Sequence, residues 1–392
     1  MPLAYPPLSA APRMADIAPF HVMELMEKAQ ALEAAGRDIV HMEVGEPDFP
    51  TPEPILKAAM AHLAGGHVHY TSALGLPALR QAIAGFYRSR YGVEVSPERI
   101  IVTAGASAAL LLTLGVLVAP GDEILLTDPG YPCNRHFVRL YEGAPVALPV
   151  DAATNFQPTP EQVEAAWGPR TRGLMLASPA NPTGTLIEPA ALAELAALTA
   201  RRGGVLIMDE IYHGLTYGVD ASTAVNMGDH VFVVNSFSKY FNMTGWRLGW
   251  LVAPTGFVRD IEKLAQNLFI SPPTPAQHGA LAAFRPETLA ITEARRREFQ
   301  ARRDYLLQEL PKLGFGVPAA PAGAFYIYAD CSALGDNSFA LAGRLIAEAG
   351  VAVTPGLDFG SNAPEKHLRF AYTTSLERLQ EGVARMSKFF AA

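Results

Sequence analysis

Between residues 95 and 255 the chain repeatedly trades a short apolar, often β-branched run for a segment of helical length. The runs are Ile100 to Thr103, Glu123 to Thr127, Val146 to Val150, Gly173 to Ala177, Val205 to Met208, Val231 to Asn235 and Leu248 to Ala253, with helical patterns over 131–143, 159–167 and 189–203 between them. Strands spaced by helix-length segments form βαβ units, which place a mostly parallel sheet between two layers of helix. The expectation is therefore an α/β fold whose large domain carries a seven-stranded sheet. The pattern changes outside this region. Ile17 to Gly36 repeats apolar residues at helical spacing, 287–313 reads as a long charged helix, and a last helix begins at 375. Strand-like Phe325 to Ala329, Val351 to Val353 and Leu368 to Ala371 lie between these two late helices. This predicts a smaller α+β domain built from both chain ends, 1–44 with 281–392, against a large domain over 45–280. Residues 1–13 read as a loose tail, and Ser271-Pro272-Pro273-Thr274-Pro275 as a hinge or boundary.

Composition narrows the partners. The 31 Lys and Arg against 38 Asp and Glu give a net charge of −7 with no basic block, so neither nucleic acid nor acidic lipid has an electrostatic driver. Only Cys133 and Cys331 occur, far apart, which argues against a disulfide scaffold or a zinc site and for a reducing, cytoplasmic setting. The greasiest stretch, Ala106 to Ala119, is interrupted by Ser107, Thr113 and Gly115 and closed by Pro120, well short of the ~20 apolar residues of a membrane span. It reads as a buried helix, and the N-terminal residues lack the pattern of a secretory signal. The expected partners are small molecules.

Four loops carry chemistry. Ser236-Phe237-Ser238-Lys239 follows the run Val231 to Asn235, with Arg247 eight residues after the lysine. In open parallel sheets ligands sit at the carboxyl ends of strands, where two hydroxyls and an arginine fork can bind a phosphate beside an amine. An amine lowered from its free pKa of ~10.4 forms a Schiff base with an aldehyde; the bland alternative is a surface lysine near a turn. Asp209 ends the run Gly204 to Met208, where a carboxylate leaving a buried strand asks for a cation, or simply caps a helix. Thr103-Ala104-Gly105-Ala106-Ser107 joins a strand to a helix through small residues that let backbone amides approach an anion, a composition that tight packing also favours. Asn181-Pro182-Thr183-Gly184 suits a β-turn, and its place at a strand end makes Asn181 a candidate site donor.

In order and spacing these loops resemble the class I/II aminotransferases, the fold-type-I enzymes that use pyridoxal 5′-phosphate. The resemblance runs from Val44-Gly45-Glu46-Pro47-Asp48-Phe49 through Asn181-Pro182-Thr183-Gly184, Asp209-Glu210-Ile211-Tyr212 and Ser236-Phe237-Ser238-Lys239 to Thr244-Gly245-Trp246-Arg247-Leu248-Gly249 and Leu368-Arg369-Phe370. It implies that Lys239 forms the Schiff base and then shuttles the proton between substrate and cofactor, while Asp209 pairs with the pyridine nitrogen. Tyr212 and Asn181 would bond the phenolic oxygen and Tyr131 would stack on the ring, at a position where the family often has another aromatic. Ser236, Ser238, Arg247 and the amides near Gly105, Ala106 and Ser107 would hold the phosphate. Arg369 would take the substrate α-carboxylate, helped by Asn181 and the backbone of Gly45. Tyr70 matches a tyrosine that crosses a dimer interface to the neighbour's cofactor phosphate, so the implied assembly is a homodimer with shared sites.

Rival readings fit less well. Ser236 to Lys239 satisfies S-x-x-K, but the S-D-N and K-T-G elements of a serine acylase are missing, and no G-x-G-x-x-G marks a dehydrogenase. His67 and His69 have no third ligand at a metal-site spacing, so a loop or interface role fits them better. A transcription regulator with an aminotransferase-like domain would carry a basic winged helix before Gly45, where only an amphipathic helix is expected. The expectation is an aminotransferase moving an amino group from an L-amino acid to a 2-oxo acid in a ping-pong cycle. The alternative is a β-eliminating C–S lyase, or a related elimination enzyme, on the same fold. No position demands a side-chain carboxylate, and Ile17 to Phe20 with Leu268 and Phe269 are candidate walls for a neutral or aromatic side chain.

Overall fold

A computed structural model describes residues 9–19, 21–335 and 337–391. Eleven strands among them form two sheets: β1 (Val40–Met42), β2 (Ile100–Thr103), β3 (Glu123–Asp128), β4 (Ala144–Pro149), β5 (Thr171–Ala177), β6 (Val205–Asp209), β7 (Val231–Ser236), β8 (Gly249–Val252), β9 (Tyr326–Asp330), β10 (Val351–Pro355) and β11 (His367–Ala371). The larger sheet has the order β2-β8-β7-β6-β5-β3-β4. All its neighbours run parallel except β8, which is antiparallel to both β2 and β7. The seven runs in the sequence correspond to these seven strands. The largest shifts are at β4 and β5, each of which begins two residues early, and β4 includes Pro145. An edge strand tolerates a residue with no N–H to donate.

Helix Ala106–Leu117 packs on one face of this sheet, its Leu110, Leu112 and Leu114 buried with Ile101, Ile207, Val234 and Leu251. The stretch that reads as a buried helix is one. The opposite face joins a second core that continues into the smaller sheet, of order β1-β10-β11-β9. Helices Pro286–Glu309 and Leu376–Ala391 stand where the sequence pattern places them, and helix His21–Ala34 lies within the segment Ile17 to Gly36 but starts four residues later. Strand β1 has no period of its own over three residues and exists through parallel pairing with β10. Helices Glu53–Ala64 and Pro77–Tyr91 both begin with proline in the first turn, where its missing N–H costs nothing.

Residues 1–8 of the expected tail, and Phe20, lie outside the described residues. Pro12–Asp16 form a 3-10 turn tied to helix Pro132–Leu140 by the Arg139–Asp16 ion pair. The proline cluster at 271–275 leads into helix Thr274–Ala280, where Thr274 Oγ1 donates to the carbonyl of His69 at 2.7 Å and buried Gln277 binds the amide of Leu76. No helix among the described residues is long and apolar enough to cross a membrane.

Candidate active site

Parallel register brings the chemistry to one edge. Ala177 at the end of β5 pairs with Asp209 at the end of β6, which pairs with Val234 of β7. Because β8 runs the other way, its first residue, Gly249, pairs with both Ser236 and Thr103. The loops after β2, β5, β6 and β7 and the turn before β8 therefore meet. They line a cavity of about 380 Å³ that includes Gly45, Ala106, Ser107, Tyr131 and Asn181. Asp209, Tyr212, Ser236, Ser238, Lys239, Arg247 and Arg369 complete the sequence-derived candidates on its walls. Gly105 lies just outside, and Tyr70 stands away from it, 79% exposed.

Lys239 Nζ donates to the carbonyl of Gly45 at 2.6 Å. That carbonyl can approach only because residue 45 has no side chain, since a Cβ there would fall 1.9 Å from the Tyr326 hydroxyl oxygen. Burial lowers the Lys239 amine to about 8, with Arg369 and Arg247 adding to the shift and Glu46 and Asp209 opposing it. Relative to an unshifted amine, this raises the neutral, nucleophilic fraction at pH 7 roughly 300-fold. Asp209 is buried, and burial pushes its carboxyl up to about 6 against the pull of the Ile211 N–H and Lys239. Its Oδ1 accepts from the Ile211 amide at 3.1 Å, so the capping role and the site role coexist in one side chain.

Arg369 lies in the middle of β11, 2% exposed, between Thr354 on β10 and Tyr328 on β9. One guanidinium nitrogen donates to Asn181 Oδ1 at 3.0 Å, while the other donates to the carbonyl of Glu43 and to Thr354 Oγ1. Nε has no hydrogen-bond partner among the described residues. The rings of Tyr326 and Phe359 lie 4.3 and 4.8 Å from its central carbon. A buried fork with an unspent donor is arranged to receive a planar anion such as a carboxylate.

At the other end of the cavity, Gly105 has φ +83, and a Cβ on it would meet Arg247 Nη2 at 2.8 Å. Arg247 is itself left-handed, at φ +51, and is anchored by donating to the carbonyl of Thr244 at 2.9 Å. The guanidinium thus lies beside the start of helix Ala106–Leu117, whose first amides have no side-chain cap. Ser236 Oγ donates to the carbonyl of Leu248 and accepts from the Ser238 amide at 3.0 Å, so it shapes the loop as well as facing the cavity.

Several wall residues had no motif to announce them. Tyr326, whose hydroxyl lies 2.9 Å from that of Tyr212, read only as part of a strand. Val22, Met23, Leu110 and Ile211 supply the apolar wall. The first two stand there in place of the expected Ile17 to Pro19, because the helix begins only at His21 and presents Val22 and Met23 to the cavity; Phe20 lies outside the described residues. Leu268 and Phe269 are not on the cavity wall.

The family model described as aminotransferase class I and II matches residues 37–386. The valine–pyruvate aminotransferase of Mycobacterium tuberculosis is 38% identical over 377 residues, covering 96% of this chain and 97% of that protein. The chain belongs to the class I and II aminotransferases. An aminotransferase structure from M. tuberculosis superposes with a TM-score of 0.94 at 37% identity, covering 98% of this chain and all of the other. The aspartate aminotransferase of Thermus thermophilus with maleate gives 0.92 at 35%, covering 97% and 99%.

Class I and II aminotransferases use pyridoxal 5′-phosphate, and the residues of this chain fit it. Gly105 lets the Arg247 guanidinium approach an uncapped helix start, which suits a phosphate; Asp209 is a buried carboxylate, which suits a cationic ring nitrogen; and Lys239 is a desolvated amine lining the same cavity. Among the described residues no cluster of three or more His, Cys, Asp or Glu could hold a metal.

Proposed function

We propose that this aminotransferase takes the amino group of a neutral L-amino acid, aliphatic or aromatic, and passes it to a 2-oxo acid in a ping-pong cycle. The observation that carries the reading is the cavity's division of labour. Lys239, Arg247 and Arg369 are its only cations among the described residues, and all three are committed, the first as the reactive amine, the second to the phosphate and the third to the α-carboxylate. Within the protomer none is left for a side-chain carboxylate, and the remaining wall of Val22, Met23, Leu110 and Ile211 suits an apolar side chain. The similarity to an enzyme named for valine and pyruvate agrees with this.

Pyridoxal phosphate, when bound, supplies an aldehyde carbon and a ring that takes up the electron pair released at the substrate Cα. Lys239 Nζ is the group that would hold that aldehyde, and the freed amine would move the proton from the substrate Cα. Asp209 would keep a positive charge on the ring nitrogen. Tyr212 and the Asn181 amide, whose Oδ1 is already committed to Arg369, would donate to the phenolic oxygen. The ring of Tyr131 would pack against the cofactor ring, and Ser236, Ser238, Arg247 and the amides of Gly105 to Ser107 would bind the phosphate. Arg369 fixes the α-carboxylate, with Asn181 and the backbone of Gly45 beside it. Residues 1–44 with 281–392 form the small domain, 1–13 being a tail, and 45–280 the large one, in a cytoplasmic enzyme.

A panel of amino donors, with 2-oxoglutarate and pyruvate as acceptors, tests the reading. Valine, leucine or phenylalanine should outperform aspartate. Release of ammonia from sulfur-containing donors without any 2-oxo acid would instead identify an eliminating lyase. Asp209→Asn should lower kcat steeply with the protein still folded. Arg247→Ala should chiefly weaken cofactor retention, since a charge-assisted bond to phosphate contributes ~1.5–3 kcal/mol. The same phenotype in both variants would contradict the division of roles.

The assembly that completes the site is a homodimer. Leu56, Met60 and Leu63 lie on one face of helix Glu53–Ala64 and are exposed, as are Val68, Tyr70, Leu268 and Ile270. Apolar surface of this kind supports a subunit contact through which Tyr70 reaches the partner's phosphate. Inactive Tyr70→Asp and Lys239→Ala chains, mixed and refolded, should regain about a quarter of wild-type activity, because half the dimers are mixed and each has one complete site. No recovery would place Tyr70 in its own subunit's machinery.

A further inference from the structure

We propose that Asp358 is a positioning residue for the substrate side chain: it pins the first turn of helix His21–Ala34 so that Val22 and Met23 stand as a fixed wall of the active-site cavity. The proposal rests on the reading that this cavity receives an amino acid. A helix begins with amides that have no partner within the helix, and here the acceptor comes from a residue far along the chain. Asp358 Oδ1 accepts from the His21 amide at 3.1 Å and Oδ2 from the Val22 amide at 3.2 Å. The carboxylate also faces the positive end of the helix dipole. Both residues that follow the first capped amide, Val22 and Met23, line the cavity.

The clamp is itself held firmly. Asp358 is 1% exposed, and its carbonyl accepts from Arg135 Nη2 at 3.1 Å, on the helix that begins directly after Tyr131. Its neighbour Phe359 packs on the Arg369 guanidinium. Three residues on, the Asp128 carboxylate at the end of β3 accepts from the amides of Ser361 and Asn362 and from Ser361 Oγ. The loop is therefore tied to the wall of the cofactor site and to the carboxylate-binding arginine. The helix it grips is lightly anchored by comparison, with only Val22 and Ala29 buried among its fourteen residues. Packing alone leaves its first turn loosely determined, and the carboxylate sets where that turn lies. Side chains long enough to touch Val22 and Met23 should depend on Asp358, whereas a methyl side chain should not.

Two variants of the holoenzyme test this. Asp358→Asn keeps the shape but loses the charge and one acceptor oxygen. His21→Pro leaves the buried aspartate untouched and removes one of the two amides, at a helix position where proline is tolerated. Steady-state kinetics with alanine, valine and phenylalanine as donors should show KM for valine and phenylalanine raised about fivefold in Asp358→Asn, a size typical of a lost N-cap, and raised less in His21→Pro. The kcat values and the alanine parameters should stay within about twofold, the effect of the cap being confined to the wall. Hydrogen exchange at the amides of residues 22–24 should speed up in both variants. An equal rise in KM for all three donors, no change in either variant, or unchanged exchange would overturn the proposal. If the wild-type enzyme transaminates none of the three donors, the functional reading fails, and the exchange measurement still decides whether Asp358 holds the helix.

Discussion

Lys239→Ala should abolish turnover while leaving a folded protein that still binds pyridoxal phosphate. The amine it removes is held 2.6 Å from the Gly45 carbonyl and lies in the same cavity as Asp209, Arg247 and Arg369. General acid–base transfer alone contributes ~10²–10⁴-fold, and the covalent anchor is lost with it. The phosphate contacts remain, so cofactor binding should weaken without vanishing. In the wild-type protein, borohydride should bleach the yellow colour and fix the cofactor to the peptide containing Lys239; labelling of a different lysine would refute the assignment. The pH dependence has a definite sign. Because burial lowers this amine to about 8, capture of the cofactor aldehyde by cofactor-free protein should rise with pH and level off above that value. An amine with its ordinary pKa would keep rising to ~10.4.

The second large effect is expected at Arg369. Arg369→Lys keeps the charge but replaces a planar fork by a single point donor. Three of the fork's bonds, to Asn181, the Glu43 carbonyl and Thr354, hold its plane, and lysine cannot make them all while also meeting a carboxylate. A hydrogen bond to a charged group contributes ~1.5–3 kcal/mol, so kcat/KM for α-amino acids should fall about 10- to 150-fold. Binding of amines that lack a carboxylate should change little. Equal losses for both kinds of ligand would mean that Arg369 only supports the small sheet. The burial of this residue makes that alternative concrete: a 2% exposed guanidinium in the middle of a strand also braces β9, β10 and β11.

The contrast between Lys239 and Tyr326 shows which site features a sequence can display. Lys239 sits three residues past the end of β7, with Ser236 closing the strand and Ser238 in the loop beside it. A strand end followed by a reactive loop is a local pattern. Parallel βαβ topology then places every such loop at one edge of the sheet, which is why Asn181, Asp209, Tyr212 and Lys239 converge although 58 residues separate the first from the last. Tyr326 has no such signature. Its hydroxyl meets Tyr212, its ring supports Arg369, and its bulk is what requires glycine at 45, and each of these contacts joins segments far apart in the chain.

Local pattern and motif order thus specify the large sheet, the order of its loops, the family and the cofactor. These are encoded in periodicities of a few residues and in loops that directly follow strands. Tertiary contacts set how far the first helix reaches, the choice of Val22 and Met23 over Ile17 to Pro19 as cavity wall, the existence of β1, and the capping of a helix start by a carboxylate 337 residues away. The physical reason is the same in each case. A three-residue strand and a two-residue wall have too little local pattern to specify themselves, so their positions are set by hydrogen bonds and packing between segments that meet only after the two sheets have come together.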